Sequence, residues 1–256
     1  MRWSPRQYTQ FEDDRTRPVR DLVAAIPGAD PARVVDLGCG PGNSTEVLAA
    51  HFPCAEVSGL DSSAEMIEAA RKRLPAIRFE VADLLHWADP GPFGVILSNA
   101  VLQWLHGHDA LLPRLVSRLA DGGSLAVQMP DNLEEPAYQL MRAVADAPEW
   151  REKLARAGGQ RGAMSTPDGY YRVLRPHCRR VDVWRTTYFH VLPGGASAVV
   201  EWFKGSGLRP YLKALDPAEQ EEFLRRFRDG VAKAYPAQPD GAVLLPFPRL
   251  FMVATR

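Results

Sequence analysis

The sequence is poor in cysteine, has no excess of either charge and contains no long apolar run. Each lack removes a class of function. Its three cysteines, Cys39, Cys54 and Cys178, are scattered and odd in number. They make neither a disulfide framework nor a metal-ligand spacing, so we expect no metal and a reducing, cytoplasmic setting. Basic and acidic residues both number 31, which gives a formal net charge of zero. A broad electrostatic attraction to nucleic acid is therefore not expected. The opening Met1-Arg2-Trp3-Ser4-Pro5 is polar and no apolar run reaches membrane-spanning length. We expect neither a signal peptide nor a membrane span. There is no repeat or low-complexity tract. The 256 residues suffice for one large domain, or a domain with a small cap.

What is there centres on Val34-Val35-Asp36-Leu37-Gly38-Cys39-Gly40-Pro41-Gly42-Asn43. A β-branched pair running into glycines reads as a buried strand and its stop. Ser44-Thr45-Glu46-Val47-Leu48 reads as the start of a helix, with Asn43 or Ser44 as its cap. The free N–H groups and positive dipole end of that helix then face the turn. Gly38, Gly40 and Gly42 leave main chain open to close approach by a ligand. A dinucleotide loop wants G-x-G-x-x-G, but here Asn43 stands at the third glycine position. Asp36, just before the first glycine, is unfavourable to a pyrophosphate and favourable to a cationic amino-acid moiety. The pattern D-x-G-x-G-x-G resembles the cofactor motif of class I S-adenosylmethionine (SAM) methyltransferases. The plain alternative is an ordinary glycine-rich turn.

The strands and helices alternate beyond this loop. Residues 1–16 are polar but carry Trp3, Tyr8 and Phe11, too aromatic for a purely disordered tail. A helix is expected to start at Pro18 and to bury Leu22, Val23 and Ile26. Strands are expected at 33–37, 55–60, 77–81, 93–98 and 124–129, with helices at 64–74 and 109–120 between them. This alternation argues a doubly wound α/β fold with a mostly parallel sheet and ligands outside the strands' carboxyl ends. Asp36, Asp61, Asp83 and Asn99 all fall at such ends and so share one rim. Asp61 lies about 20 residues beyond the glycine loop, where a ribose-binding carboxylate belongs. The other reading, a cap for the following helix through Asp61-Ser62-Ser63, is compatible with it; with Asp36 in the loop, the ribose role is the one favoured. Met66 faces adenine or the core. Asp83, followed by Leu84, accepts from the adenine amino group or is a turn residue. Asn99 and Gln103 follow an apolar strand and mark the mouth of the site, with Trp104 covering it or packing on a helix.

Past Met129 the regularity breaks. A helix is expected at 136–145, a charged and glycine-containing cap at 148–168, and a helix at 168–174. A long strand over 180–192 puts Asp182, Trp184, Thr186, Tyr188 and His190 on one face. Helices follow at 197–204 and 217–234. A last strand over 243–255, interrupted by Pro246 and Pro248, belongs at a rim or edge.

Several stretches make the resemblance closer than fold class. They are Tyr8-x-x-Phe11-x-x-x-Arg15-x-Arg17-Pro18, Asp36 to Thr45, Asp61-Ser62-Ser63 and Leu102-Gln103-Trp104. To these add Ala126 to Asn132, Trp184 to His190, Gly207-Leu208-Arg209-Pro210 and Phe247-Pro248-Arg249-Leu250-Phe251. Together they resemble the trans-aconitate 2-methyltransferase family over nearly the whole chain, least around 148–168. The resemblance implies one Rossmann-like domain over 1–256 with a seven-stranded sheet. It also implies an N-terminal segment 1–30 and a helical insertion over about 133–175 that cover the site. It implies a cytoplasmic enzyme, favoured as a monomer, that moves the SAM methyl onto a carboxylate of trans-aconitate or a related polycarboxylate. Cofactor contacts would come from Asp36, Gly38, Gly40, Asn43, Asp61, Ser62, Met66, Asp83, Leu84 and Asn99. A carboxylate is already ionised at neutral pH, so no catalytic acid or base is expected. A triacid needs cationic or hydrogen-bonding partners. The candidates are Arg15, Arg209 and Arg249, with Gln103, Tyr188 and His190 as further donors. Each arginine alone also reads as a solvated surface charge. The competing readings are a methyltransferase for nitrogen or carbon on another small molecule, and a SAM-binding partner protein without turnover. A nicotinamide dehydrogenase is more distant, given Asp36 and Asn43.

Overall fold

The structure is a computed structural model that describes residues 12–28, 30–155, 157 and 164–256, with backbone alone for 12–15. Trp3, Tyr8 and Phe11, and the glycines Gly158, Gly159 and Gly162 of the expected cap, lie outside the described residues. In chain order the elements are α1 (Glu12–Ala24), β1 (Arg33–Leu37), α2 (Asn43–His51), β2 (Glu56–Asp61), α3 (Ala64–Arg73) and β3 (Arg78–Val81). Then come β4 (Phe93–Asn99), a 3-10 turn (Leu102–Trp104), α4 (His108–Val116), β5 (Leu119–Pro130), α5 (Pro136–Ala145), α6 (Arg151–Leu154) and α7 (Pro167–Leu174). The chain finishes with β6 (Arg180–Leu192), α8 (Gly195–Lys204), α9 (Arg209–Ala214), α10 (Pro217–Ala234) and β7 (Val243–Thr255).

The seven strands form one mostly parallel sheet in the order β3-β2-β1-β4-β5-β7-β6. Pairing is parallel from β3 across to β5. The chain winds outward from β1 in both directions, so the carboxyl ends of β1 to β4 share one rim. Among the described residues no helix is long and apolar enough to cross a membrane.

The chain divides into two compact units. The first is Met1–Met129, Ala163–Arg185 and Leu250–Arg256; the second is Pro130–Gly162 and Thr186–Arg249. The insertion expected over about 133–175 is thus shared between them. In the first unit, Val35, Leu37, Ile96, Leu97, Leu125 and Val127 fill the inner strands with almost no exposed surface. Such runs are apolar throughout because both faces of a parallel sheet are covered. In the second unit the core is aromatic: Phe223 packs against Trp150 and Tyr211, and Phe203 against Phe227. The helix α10 opens with a capping box between Asp216 and Glu219.

Four expectations need correction. Helix α1 does not start at Pro18 but encloses it. Proline has no N–H for the carbonyl four residues back. The helix continues because Val19, Leu22 and Val23 are buried on one side. Helix α2 is capped by Gly42 in a left-handed conformation, φ 94°, not by the Asn43 or Ser44 side chain; Ser44 has another partner, described below. Strand β5 begins at Leu119 and not near 124, and α4 correspondingly ends at Val116. Here Phe93 pairs with Leu119 and Val95 with Ser124 across a register shift, as a bulge containing Gly122-Gly123 allows. Strand β7 lies inside the sheet between β5 and β6, not at an edge. Pro246 and Pro248 are two residues apart, so their missing donors fall on one side of the strand. Their carbonyls remain usable, and that of Pro248 accepts from Asp131 N–H at 2.9 Å. The short helices α6 and α9 were not foreseen.

The packing of β2 on β3 is tight at Gly59, where a Cβ would lie 2.8 Å from the Phe79 ring and 3.1 Å from Cys39 Cβ. Phe79 and Cys39 are buried together with Ile67 and Ala70. Gly59→Ala should therefore destabilise the protein by roughly 1–3 kcal/mol through overpacking. Urea unfolding checks this; an unchanged midpoint would show that the ring yields freely.

Candidate functional site

Strand β1 delivers Asp36 to the end of the sheet with no exposed surface, between Gly59 of β2 and Leu97 of β4. The next peptides turn away from the strand. Gly38 and Cys39 donate their N–H groups to the Leu60 carbonyl at 2.7 and 2.9 Å. Gly38 has φ 72°, and a Cβ there would come within 2.3 Å of Val101 Cγ2. Only glycine satisfies both the backbone and the neighbour. Gly40 N–H donates to Asp61 Oδ2 at 3.0 Å, which joins the loop to the end of β2.

The hydroxyls of Ser44 and Thr45, on the first turn of α2, both donate to Asp36 Oδ2, at 2.6 and 2.7 Å. Asp36 Oδ1 is buried and has no hydrogen-bond partner. Burial pushes the Asp36 carboxyl from its ordinary 3.8 up to about 6. The two hydroxyl donors oppose that rise, and the Asp61 charge adds to it. Burial, with the charges of Asp36 and Asp61, also pushes the Cys39 thiol up, so it is not a thiolate nucleophile.

A cavity beside this loop is lined by Thr16 and Val19 of α1, by Gly38, Cys39, Pro41, Asn43 and Ser44, and by Asn99 at the end of β4. Asn43 Oδ1 and Asn99 Oδ1 are buried without a partner. Two acceptors on these walls, and Asp36 Oδ1 at the end of β1 before the loop, thus lack donors. Buried acceptors left unmade are costly, and the group that satisfies them must bring N–H or O–H donors, which positive charge strengthens. An ammonium does both; a pyrophosphate does neither.

The other rim residues are arranged as follows. Asp61 Oδ1 accepts from Ser63 N–H at 2.8 Å. The cap of α3 is Ser63, whose hydroxyl accepts from Met66 N–H at 3.3 Å, so Asp61 itself is not the cap. Ser62 is exposed and Met66 buried. Asp83 is half exposed after β3; its Oδ1 accepts from Leu85 N–H at 2.9 Å and its Oδ2 lies 3.1 Å from His86 Nδ1. Leu84 is buried beside it. After β4, Ala100 is left-handed at φ 57°. It is pinned on both sides: its N–H donates to Gln128 O, and its carbonyl accepts from Gln103 Nε2 at 2.7 Å. Gln103 Oε1 is buried without a partner.

The second unit assembles a different cluster. Tyr188 and His190 point inward from β6, whereas Phe189 and Val191 are exposed. Arg249 of β7 is buried, its guanidinium 4.9 Å from the Phe247 ring centre and 6.0 Å from that of Tyr188. His190 stacks on Trp202 at 4.3 Å and meets Phe247 at 5.4 Å. Arg209 is the half-buried first residue of α9. Arg15 lies in α1, and its side chain is outside the described residues. Sequence reasoning brought out Tyr188, His190 and Arg249 but missed the rings of Trp202 and Phe247 around them. It also missed Thr45, Thr16 and Val19. For Thr45 a signal existed: two hydroxyl residues on the first helical turn after the glycine loop.

Residues 34–123 match a family model described as a methyltransferase domain. The chain is 53% identical to the trans-aconitate 2-methyltransferase of Methylobacterium nodulans over 254 residues, 99% of this chain and 98% of that protein. It is 51% identical to the enzyme of the same name from Rhodopseudomonas palustris, covering 99% of each. Among solved structures it resembles the YcgJ protein from Bacillus subtilis, with a TM-score of 0.60 at 12% identity, covering 94% and 98% of the two chains. It also resembles the plantazolicin methyltransferase BpumL in complex with SAH (S-adenosylhomocysteine), with a TM-score of 0.50 at 18% identity, covering 98% and 90%. At these identities the two structures bear on the fold alone.

The raised Asp36 carboxyl has a consequence for stability. The folded chain holds this proton more tightly than the unfolded chain does. The Asp36 contribution is therefore full below about pH 4 and is lost as pH rises through about 6. Between pH 4 and pH 7 the protein should lose about 2 kcal/mol relative to Asp36→Asn, which cannot ionise. Urea unfolding of both chains at the two pH values measures this, and parallel pH profiles would contradict it.

Proposed function

Because the chain belongs to the trans-aconitate 2-methyltransferase family, we propose that it transfers the methyl group of SAM to a carboxylate of trans-aconitate. The products are a monomethyl ester and S-adenosylhomocysteine. The observation that carries this reading from the chain's own residues is the set of donor-less acceptors at the glycine loop, Asp36 Oδ1, Asn43 Oδ1 and Asn99 Oδ1. They fit the ammonium end of SAM.

In this reading Asp36, Gly38, Gly40, Asn43 and Asn99 hold the amino-acid end of the cofactor. Asp61 takes the ribose hydroxyls. Its two oxygens are already held by the N–H groups of Gly40 and Ser63, so the carboxylate is oriented before the ligand arrives, and each oxygen keeps a lone pair. Ser62 and Met66 line the nucleoside, and Asp83 with Leu84 takes the adenine. When bound, SAM supplies an electrophilic methyl group on a sulfonium, with the leaving group built in. The accepting carboxylate is ionised at neutral pH, so no residue has to remove a proton. What remains for the protein is to align the reacting atoms and exclude water. Consistent with this, no thiolate or base is called for at the loop.

The triacid needs positive partners, and a chain with zero net charge must supply them locally. We assign Arg249, with Tyr188 and His190, as its principal contact. Arg209, Arg15 and Gln103 complete the candidate set. The rings of Phe247 and Tyr188 hold the Arg249 guanidinium in a dry, planar setting, where a bidentate bond to a carboxylate is strong. The three cysteines are free thiols, which fits our placement of the enzyme in a reducing cytoplasm.

Incubation with SAM and trans-aconitate should give a product 14 Da heavier than the acid by mass spectrometry, as replacement of one hydrogen by methyl requires. A panel of di- and tricarboxylates run alongside identifies the preferred acid; no ester from any of them would refute the reading. Arg249→Ala should lower kcat/KM for trans-aconitate by roughly 30-fold or more. Its affinity for S-adenosylhomocysteine should stay at the wild-type level. Steady-state kinetics with calorimetry checks both, and an unchanged kcat/KM would remove Arg249 from the substrate site.

A further inference from the structure

We propose that Arg114 is a positioning residue for adenine selection, acting on Asp83 through the Leu84–Leu85 peptide. The inference rests on the assignment of Asp83 to the adenine amino group. Arg114 on the last turn of α4 and Arg118 just past its end both spend donors on main-chain carbonyls of the segment after β3. Arg114 Nη1 donates to Leu85 O at 2.6 Å and Nη2 to Leu84 O at 3.1 Å. Arg118 Nη2 donates to Trp87 O at 2.7 Å, and its guanidinium lies over the Trp87 ring at 4.5 Å. Two cations at and just beyond the end of α4 therefore hold three carbonyls of a four-residue turn.

The Leu84–Leu85 peptide is the link. A peptide unit is planar, so its C=O and N–H move together. Its carbonyl accepts from Arg114, and its N–H, that of Leu85, donates to Asp83 Oδ1 at 2.9 Å. Fixing one end of this plane aims the other. The aim matters because the Asp83 side chain is about half exposed, so packing does not orient it. His86 offers only an exposed imidazole to the other oxygen. The same Leu85 N–H, helped by His86 and by the Arg114 charge, holds the Asp83 carboxyl below its usual range and so keeps it an acceptor. An ionised carboxylate held at a fixed angle accepts from an exocyclic amino group and repels a carbonyl oxygen in the same place. That is the chemistry that separates adenine from a 6-oxopurine.

The test compares calorimetric affinities for S-adenosylhomocysteine and S-inosylhomocysteine, in which a carbonyl replaces the amino group. Both ligands report on the same folded population, so a general loss of stability cancels in their ratio. Wild type should prefer the adenine ligand by about tenfold or more. Asp83→Asn and Arg114→Met should each cut that preference to about two- to threefold. Arg114→Lys, a point charge that cannot bridge two carbonyls, should fall between. A wild-type ratio in Arg114→Met beside a collapsed ratio in Asp83→Asn would overturn the proposal and leave Arg114 a purely structural tie. A wild-type ratio in Asp83→Asn would instead overturn the adenine assignment of Asp83, and the proposal with it. Should Arg114→Met not fold, the ratio of Arg114→Lys decides, and an unchanged value overturns the proposal.

Discussion

A carboxylate with no exposed surface at the end of β1 is half satisfied, and much of the first unit is arranged around that condition. Asp36 Oδ2 takes two hydroxyl donors from the first turn of α2. Those hydroxyls stand where they do because the chain leaves β1 through Gly38, Gly40 and Gly42, all at positive φ, and enters the helix without a side-chain cap. The same turn ties back to β2 through Leu60 O and Asp61 Oδ2. Moving Asp36 by one residue would place an apolar side chain at the rim and turn the carboxylate to the other face of the sheet. The unsatisfied Oδ1 is the cost of this arrangement. In the reading given above, the ammonium of the cofactor removes it, so binding energy is realised against a site that holds its shape beforehand.

The second unit solves a different problem, that of holding a buried guanidinium. Arg249 is flanked by the rings of Phe247 and Tyr188, with His190 sandwiched against Trp202 nearby. Aromatic faces stabilise a cation without neutralising it. A guanidinium set among aromatic rings is fixed in place, which suits recognition of a polyacid by a chain with no overall positive field.

Local pattern made much of this legible. β-branched runs gave β1 and β4, and their parallel pairing put Asp36, Asp61 and Asn99 on one rim, as alternation of strand and helix implied. The alternating pattern over 180–192 foretold that Tyr188 and His190 share a face, and α10 and β7 have the bounds read from the sequence. What stayed hidden depends on partners distant in the chain. Pro18 reads as a helix start until the burial of Val19 and Leu22 keeps the helix going on both sides of it. Pro246 and Pro248 read as edge signals because composition does not reveal on which side of a strand donors are needed. Leu119 joins β5 only because it pairs with Phe93 across a glycine bulge. Ser44 looked like a cap because hydroxyls usually serve helix ends, and here the nearer demand is a buried carboxylate. Arg114 has no signal at all in sequence, since its partners are main-chain carbonyls.

In the proposed site, Asp36 must be ionised to receive the ammonium of the cofactor. SAM keeps its ammonium over the acidic and neutral range, so the pH dependence falls on the protein. Calorimetric titration of SAM between pH 5 and pH 8, in buffers of different ionisation enthalpy, measures it. Affinity should rise with pH through about 6. Close to one proton should be released per SAM bound at pH 5, and both effects should vanish in Asp36→Asn. Affinity independent of pH in the wild-type protein, with no proton released, would contradict this.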